Sequence, residues 1–163
     1  MNLKTTLSLL LVFFFFKACA QTIDYRKVCL RVDSFQQAAN ALRKDKKWDD
    51  ALATLVHYEA FIRNTVGPTD SLMAEYWNDY GVLLIDMKDY TKSDSFLGKA
   101  IRILEVSGDS ITSTMAAVKF NAGGANFFLK KYNRSEQFYL QVIESPVSSN
   151  MRMAFRRKLS DFA

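Results

Sequence analysis

The chain has 163 residues, of which 49% are hydrophobic and 24% charged, and its formal net charge is +5. That composition suits about one globular domain and excludes a disordered or low-complexity chain. Six glycines and two prolines fit poorly with the many turns of an all-β fold; two cysteines are too few for a disulfide scaffold or a Cys-based zinc site; and the single histidine, His57, excludes a site needing two imidazoles.

Residues 1–20 read as a signal peptide. Lys4 is positive, Leu7 to Phe16 is apolar except for Ser8, and Ala18-Cys19-Ala20 offers a small-x-small cleavage site before Gln21. The apolar run is about half the roughly 20 residues of a membrane span. A retained anchor and a lipoprotein acylated at Cys19 are the alternatives; Lys17, two before that cysteine, counts against the second. Cleavage would remove Lys4 and Lys17, leaving 20 basic residues against 17 acids, a net charge of about +3. Such a small excess does not point to nucleic acid. Cys29 would then be the one remaining thiol, expected buried because it lies in an apolar-periodic stretch.

After a lead-in over 21–31, apolar residues recur with helical spacing. Val28, Val32, Phe35, Ala39 and Leu42 share one face, followed by a polar turn, Lys46-Lys47, and then Trp48. Ala51, Leu55, Tyr58 and Ile62 make a second helix, ended by Val66-Gly67-Pro68. The pattern then repeats. Met73, Trp77, Tyr80 and Leu84 precede Lys88-Asp89-Tyr90, and Ser93, Leu97, Ala100 and Leu104 follow. Met115, Val118, Ala122 and Ala125 precede Lys130-Lys131-Tyr132, with Ser135, Tyr139 and Val142 after them. Trp48, Tyr90 and Tyr132 are 42 apart, as are Ala39, Gly81 and Gly123, and Ala51, Ser93 and Ser135. A fixed period of this kind marks a repeat architecture. The repeats run over 32–73, 74–115 and 116–147, with Ser71 and Ser110 expected as N-caps. The small residues are expected where paired helices approach closely, and each aromatic over the turn between them. The third break, at Ser145-Pro146, comes about five residues early. Residues 148–163 carry a stripe of Met151, Phe155, Leu159 and Phe162 opposite Arg152, Arg156 and Lys158. That suits a capping helix or a truncated fourth repeat.

The pattern resembles the tetratricopeptide repeat (TPR). The clearest unit runs from Ala74 through Trp77, Gly81, Leu84, Tyr90, Ser93 and Leu97 to Ala100. The first unit keeps Leu42, Trp48, Ala51 and Leu55; the third keeps Gly123, Tyr132 and Tyr139. The 42-residue length is similar to kinesin-light-chain-type repeats. The resemblance implies an all-α solenoid of about three antiparallel helix pairs with a C-terminal capping helix. It also implies a concave groove lined by the first helix of each pair. The partner-binding positions it assigns are Gln36, Asn40 and Arg43; Glu75, Asn78, Val82 and Asp86; and Ala117, Phe120, Gly124 and Phe127. Some members clamp a peptide carboxylate with Lys, Asn and Arg. Here Asn40 matches one such position, while Gln36, Asp79, Ala117 and Asn121 occupy the others, so that clamp is absent.

No catalytic set, cofactor fingerprint or metal-spaced ligand group stands out. His57 reads as a surface or packing residue. Asp49, Asp50, Asp86 and Asp89 read as solvated turn carboxylates. Gly123-Gly124 lies within a predicted helix and is no phosphate loop. The sequence therefore predicts a non-catalytic, exported module, periplasmic or secreted. It would bind a protein or peptide, take no cofactor and bind no nucleic acid. Two other readings are the interaction array of a larger caspase-like protease and a lipoprotein subunit of an envelope complex.

Overall fold

The computed structural model describes residues 23–109 and 113–145. The expected signal segment, the Ser110 cap and the helix over 148–163 lie outside them. The described residues form α1 (Tyr25–Lys44), α2 (Trp48–Thr65), α3 (Leu72–Asp86), α4 (Tyr90–Val106), α5 (Ser113–Phe128) and α6 (Tyr132–Glu144), with no strand among them. The helices pack as α1/α2, α3/α4 and α5/α6, and each pair stacks on the next through α2/α3 and α4/α5. The first helices also touch from unit to unit, α1 with α3 and α3 with α5. They therefore form one layer and α2, α4 and α6 the other. This is the expected all-α solenoid of helix pairs.

The periodicity placed the core well. Val28, Val32 and Ala39 of α1 meet Ala51, Leu55, Tyr58 and Ile62 of α2, with Leu72, Met73, Tyr76 and Leu83 of α3 on the same cluster. A second cluster joins Ala74, Leu97, Ala100 and Leu104 to Met115, Val118, Ala122 and Ala125. Trp77 and Ile103 pack against both clusters and so link them. Three expectations need correction. Helix α1 starts at Tyr25, inside the segment read as a lead-in, because burial of Val28 anchors an extra turn and Asp24 caps it by accepting from the Lys27 amide. Ser71 stands at the start of α3 but makes no side-chain cap bond; Asp70 Oδ1 accepts from the Leu72 amide instead, at 2.9 Å. Cys29 is half-buried against the first cluster rather than fully enclosed.

The turn within each pair is set by its backbone. Lys46, Lys88 and Lys130, again 42 apart, all have positive φ, between 58° and 64°. The Lys46 amide donates to the Arg43 carbonyl and the Lys47 amide to that of Leu42. The same two bonds recur from Lys88 and Asp89, and from Lys130 and Lys131. Crossed bonds of this kind satisfy carbonyls that a helix end leaves unpaired. The aromatics add to this without replacing it. Tyr90 stacks on Phe128 of the next unit at 4.7 Å, and Tyr132, 57% exposed, makes an edge contact with Phe127.

Within the second and third pairs the helices come into tight contact at the expected small residues. A Cβ on Gly81 would lie 2.7 Å from Leu97 Cγ, and one on Gly123 would lie 2.6 Å from the Tyr139 ring. The hydroxyls of Ser93 and Ser135 donate to the Gly81 and Gly123 carbonyls, both at 2.8 Å. Gly98, in contrast, meets nothing closer than Arg102 at 3.9 Å. Opposite signs follow for one chemical change. Gly98→Ala should stabilise by about 0.5–1 kcal/mol through helix propensity. Gly81→Ala should destabilise by about 1–3 kcal/mol through overpacking, despite the same propensity gain. Urea unfolding of the two variants checks this; equal effects would place the close contact elsewhere.

Candidate binding surface

The polar residues assigned to the groove lie on the first-helix layer, and many are engaged with one another. Gln36 Nε2 on α1 donates to Glu75 Oε2 on α3 at 3.1 Å. Arg43 Nη1 pairs with the Asp86 carboxylate, and Arg43 Nε donates to Asn40 Oδ1 at 3.3 Å. Asn121 Nδ2 on α5 donates to Asn78 Oδ1 on α3 at 2.8 Å. The polar positions thus form bridges that tie α1 to α3 and α3 to α5. Val82 lies one turn from both Asn78 and Asp86, on the same helical face. Phe120 is half-buried, with its ring 5.7 Å from that of Tyr139. Phe127 departs from the expected groove. It is 39% exposed and lines an open cleft of about 450 Å³ at the last unit, with Tyr132, Glu136, Tyr139, Leu140 and Ile143.

Beneath the α1–α3 bridges lies a cluster that sequence reading missed. Asp79 Oδ2 and Tyr58 Oη are both buried without a hydrogen-bond partner. Burial pushes the Asp79 carboxyl up to about 7, and Glu75 adds to the rise; a hydrogen bond with Gln36 and the nearby Arg43 oppose it. Burial also raises Glu75 and, aided by the Asp79 charge, Tyr58. The helical spacing gave no hint, because Asp79 falls off the apolar stripe of Met73, Trp77, Tyr80 and Leu84. The cross-unit neighbours that bury it are distant in sequence.

The cluster makes stability pH-dependent in a defined direction. The unfolded Asp79 ionises near 3.8 and the folded one near 7, so the folded state holds more protons between these values. Stability therefore falls as pH rises across that window, by an amount on the order of a few kcal/mol. Asp79→Asn, which carries no charge, should gain on the wild type steadily from pH 4 to pH 8. Denaturant titrations at several pH values read this directly; a constant difference between the two proteins would show that Asp79 ionises normally.

A second polar link holds α4 to the third unit. Asn126 is buried and donates to Asp94 Oδ1 and to the Ala122 carbonyl, at 2.8 and 2.9 Å. Asp94 also faces Lys131 and Arg134, at 3.3 and 3.6 Å. The signal was present in the sequence, since Asn126 occupies the register position held by Leu84. His57 is exposed and lines an open cleft of about 730 Å³ between α1 and α2, with Arg31, Phe35 and Phe61. Among the described residues no group of three or more His, Cys, Asp or Glu side chains could hold a metal ion, and no helix is long and apolar enough to cross a membrane.

Residues 74–103, which span α3 and most of α4, match the tetratricopeptide repeat family model. The match falls on the unit with Trp77, Gly81 and Tyr90. With a further helix pair stacked on either side of it, the fold is an all-α, TPR-like helical solenoid. No curated protein matches the chain.

Proposed function

We propose that this chain is a non-catalytic, exported scaffold that holds a protein or peptide segment along the open face of its first helices. The observation that carries this reading is the row of cross-unit bridges, Gln36–Glu75, Arg43–Asp86 and Asn78–Asn121. They fix polar groups of three helices in place before any partner arrives, which lowers the ordering cost of binding. TPR-type repeats support a protein rather than a small-molecule partner. Export rests on the residue pattern of 1–20 alone.

Val82→Arg tests the surface without removing a bridge. A long cation at this half-buried position obstructs the middle of the strip. Tagged wild-type and variant chains are to be purified side by side and their co-purifying proteins quantified by mass spectrometry. Partner recovery should fall at least tenfold for Val82→Arg, while the thermal midpoint stays within a few degrees. Intact mass of the same samples should show residues 1–20 missing. A partner retained equally by a folded Val82→Arg would place binding on another face.

A further inference from the structure

Tyr58 of α2 is the largest fully buried side chain among the described residues, and its ring is held between two helices. It stacks on Phe35 of α1 with centroids 5.6 Å apart and meets Tyr76 of α3 edge-on, also at 5.6 Å. The hydroxyl so positioned lies among the carboxylates of Asp33, Glu75 and Asp79, whose charges all act on it. Neither Tyr58 Oη nor the buried Asp79 Oδ2 has a hydrogen-bond partner. Native structures seldom leave such atoms unpaired. The Gln36 amide is the donor closest to hand: it donates to Glu75 Oε2 at 3.1 Å and also acts on Asp79 and Tyr58. Its two N–H groups bring no charge. Arg43 is the cation that acts on Asp79, yet its guanidinium is engaged with Asp86 and Asn40. Among the described residues no ion pair holds Asp33, Glu75 or Asp79.

We propose that this cluster is the recognition pocket for a basic side chain, lysine or arginine, of the bound segment. The incoming cation displaces the Gln36 amide and donates to Asp79 Oδ2, Tyr58 Oη and Glu75. This inference rests on the first-helix face being the partner surface, and it names what the partner must present. An ammonium carries three N–H donors and a guanidinium five, enough to serve both unpaired atoms and Glu75 together. A charged donor also forms the stronger bond to a carboxylate and offsets its charge, which the amide cannot do. Asp79 and Glu75 both sit above the usual carboxylate range, as carboxylates do when they are buried and short of positive charge. Access is from the open face. Gln36 and Glu75 are half-buried rather than enclosed, and Asp33, one turn before Gln36 on α1, is exposed. The chain as a whole has a net charge of +5 and repels cations, so attraction for one is a local property of this cluster.

The test is a titration of the isotope-labelled full chain at pH 8, where most of Asp79 is ionised, followed by amide NMR shifts. The probes are a short end-blocked alanine peptide with one central lysine, the same peptide with arginine, and the same with norleucine. A basic peptide should bind about tenfold more tightly than the norleucine one, with shifts centred on Gln36, Tyr58, Glu75 and Asp79. Asp79→Asn should lower that affinity about tenfold, and its own spectrum reports that it is folded. Glu105→Gln, which removes an exposed acid from α4 in the other layer, should leave the affinity unchanged. Equal binding of the three peptides would overturn the pocket. So would equal losses in the two variants, because the attraction would then belong to overall charge. A partner released by Val82→Arg, together with no preference for the basic peptides, would remove this inference alone and leave the scaffold reading standing.

Discussion

The contact on which the whole array depends is the one between the small residue of each first helix and the bulky residue of its partner. At Gly81 and Gly123 no Cβ fits, because Leu97 and Tyr139 already occupy that space. The helices can therefore come close enough for the Ser93 and Ser135 hydroxyls to reach the glycine carbonyls. A buried hydroxyl needs such a partner, since leaving it unpaired costs on the order of 1–3 kcal/mol. In the first pair the equivalent positions are Ala39 and Ala51, both buried and neither carrying a hydroxyl. Once the pairs have similar geometry, they stack with a similar offset. The first-helix bridges then span equal stretches of chain, as Arg43–Asp86 and Asn78–Asn121 do, each 43 residues apart.

The repeat, the helix pairs and most of the core were legible because each rests on local periodicity. Ala51, Leu55, Tyr58 and Ile62 are buried as their spacing implies, and so are Ser93, Leu97, Ala100 and Leu104. The close-contact glycines were legible because the 42-residue register singled them out. What the sequence hid is what depends on two units at once. Gln36 and Glu75 looked like free groove residues, yet they satisfy each other. Asp79 looked like a groove position too, and neighbouring helices enclose it. The family resemblance places Phe127 in the groove, whereas at the last turn of α5 it lines the end cleft. The lysines at 46, 88 and 130 were visible as a repeated motif, but their left-handed backbone was not, since glycine is the usual sign of it.

These corrections change how the first-helix face can work. A strip of mutually bonded side chains is stiff, so a partner meets donors and acceptors already oriented. Each carboxylate and amide oxygen has capacity for a second bond, so a bridge leaves the group able to accept from a partner's backbone. The buried Asp79 stands directly below that strip and opposes folding most when it is ionised. On the proposed function, binding polarity and unit-to-unit cohesion would be supplied by the same residues. A change to Glu75 or Arg43 would disturb both, and for that reason Val82 separates them better.

The central claim is that helix approach at the small-residue positions sets the architecture. A double-mutant cycle at the third pair measures it most directly, by urea unfolding of Gly123→Ala, Tyr139→Ala and the two combined. Gly123→Ala alone should cost about 1–3 kcal/mol, because its new methyl meets the Tyr139 ring. With Tyr139 already reduced to Ala, the same change should cost almost nothing or stabilise slightly through helix propensity. An equal cost of Gly123→Ala in both backgrounds would contradict the account, since the glycine would then matter for something other than the contact between the paired helices.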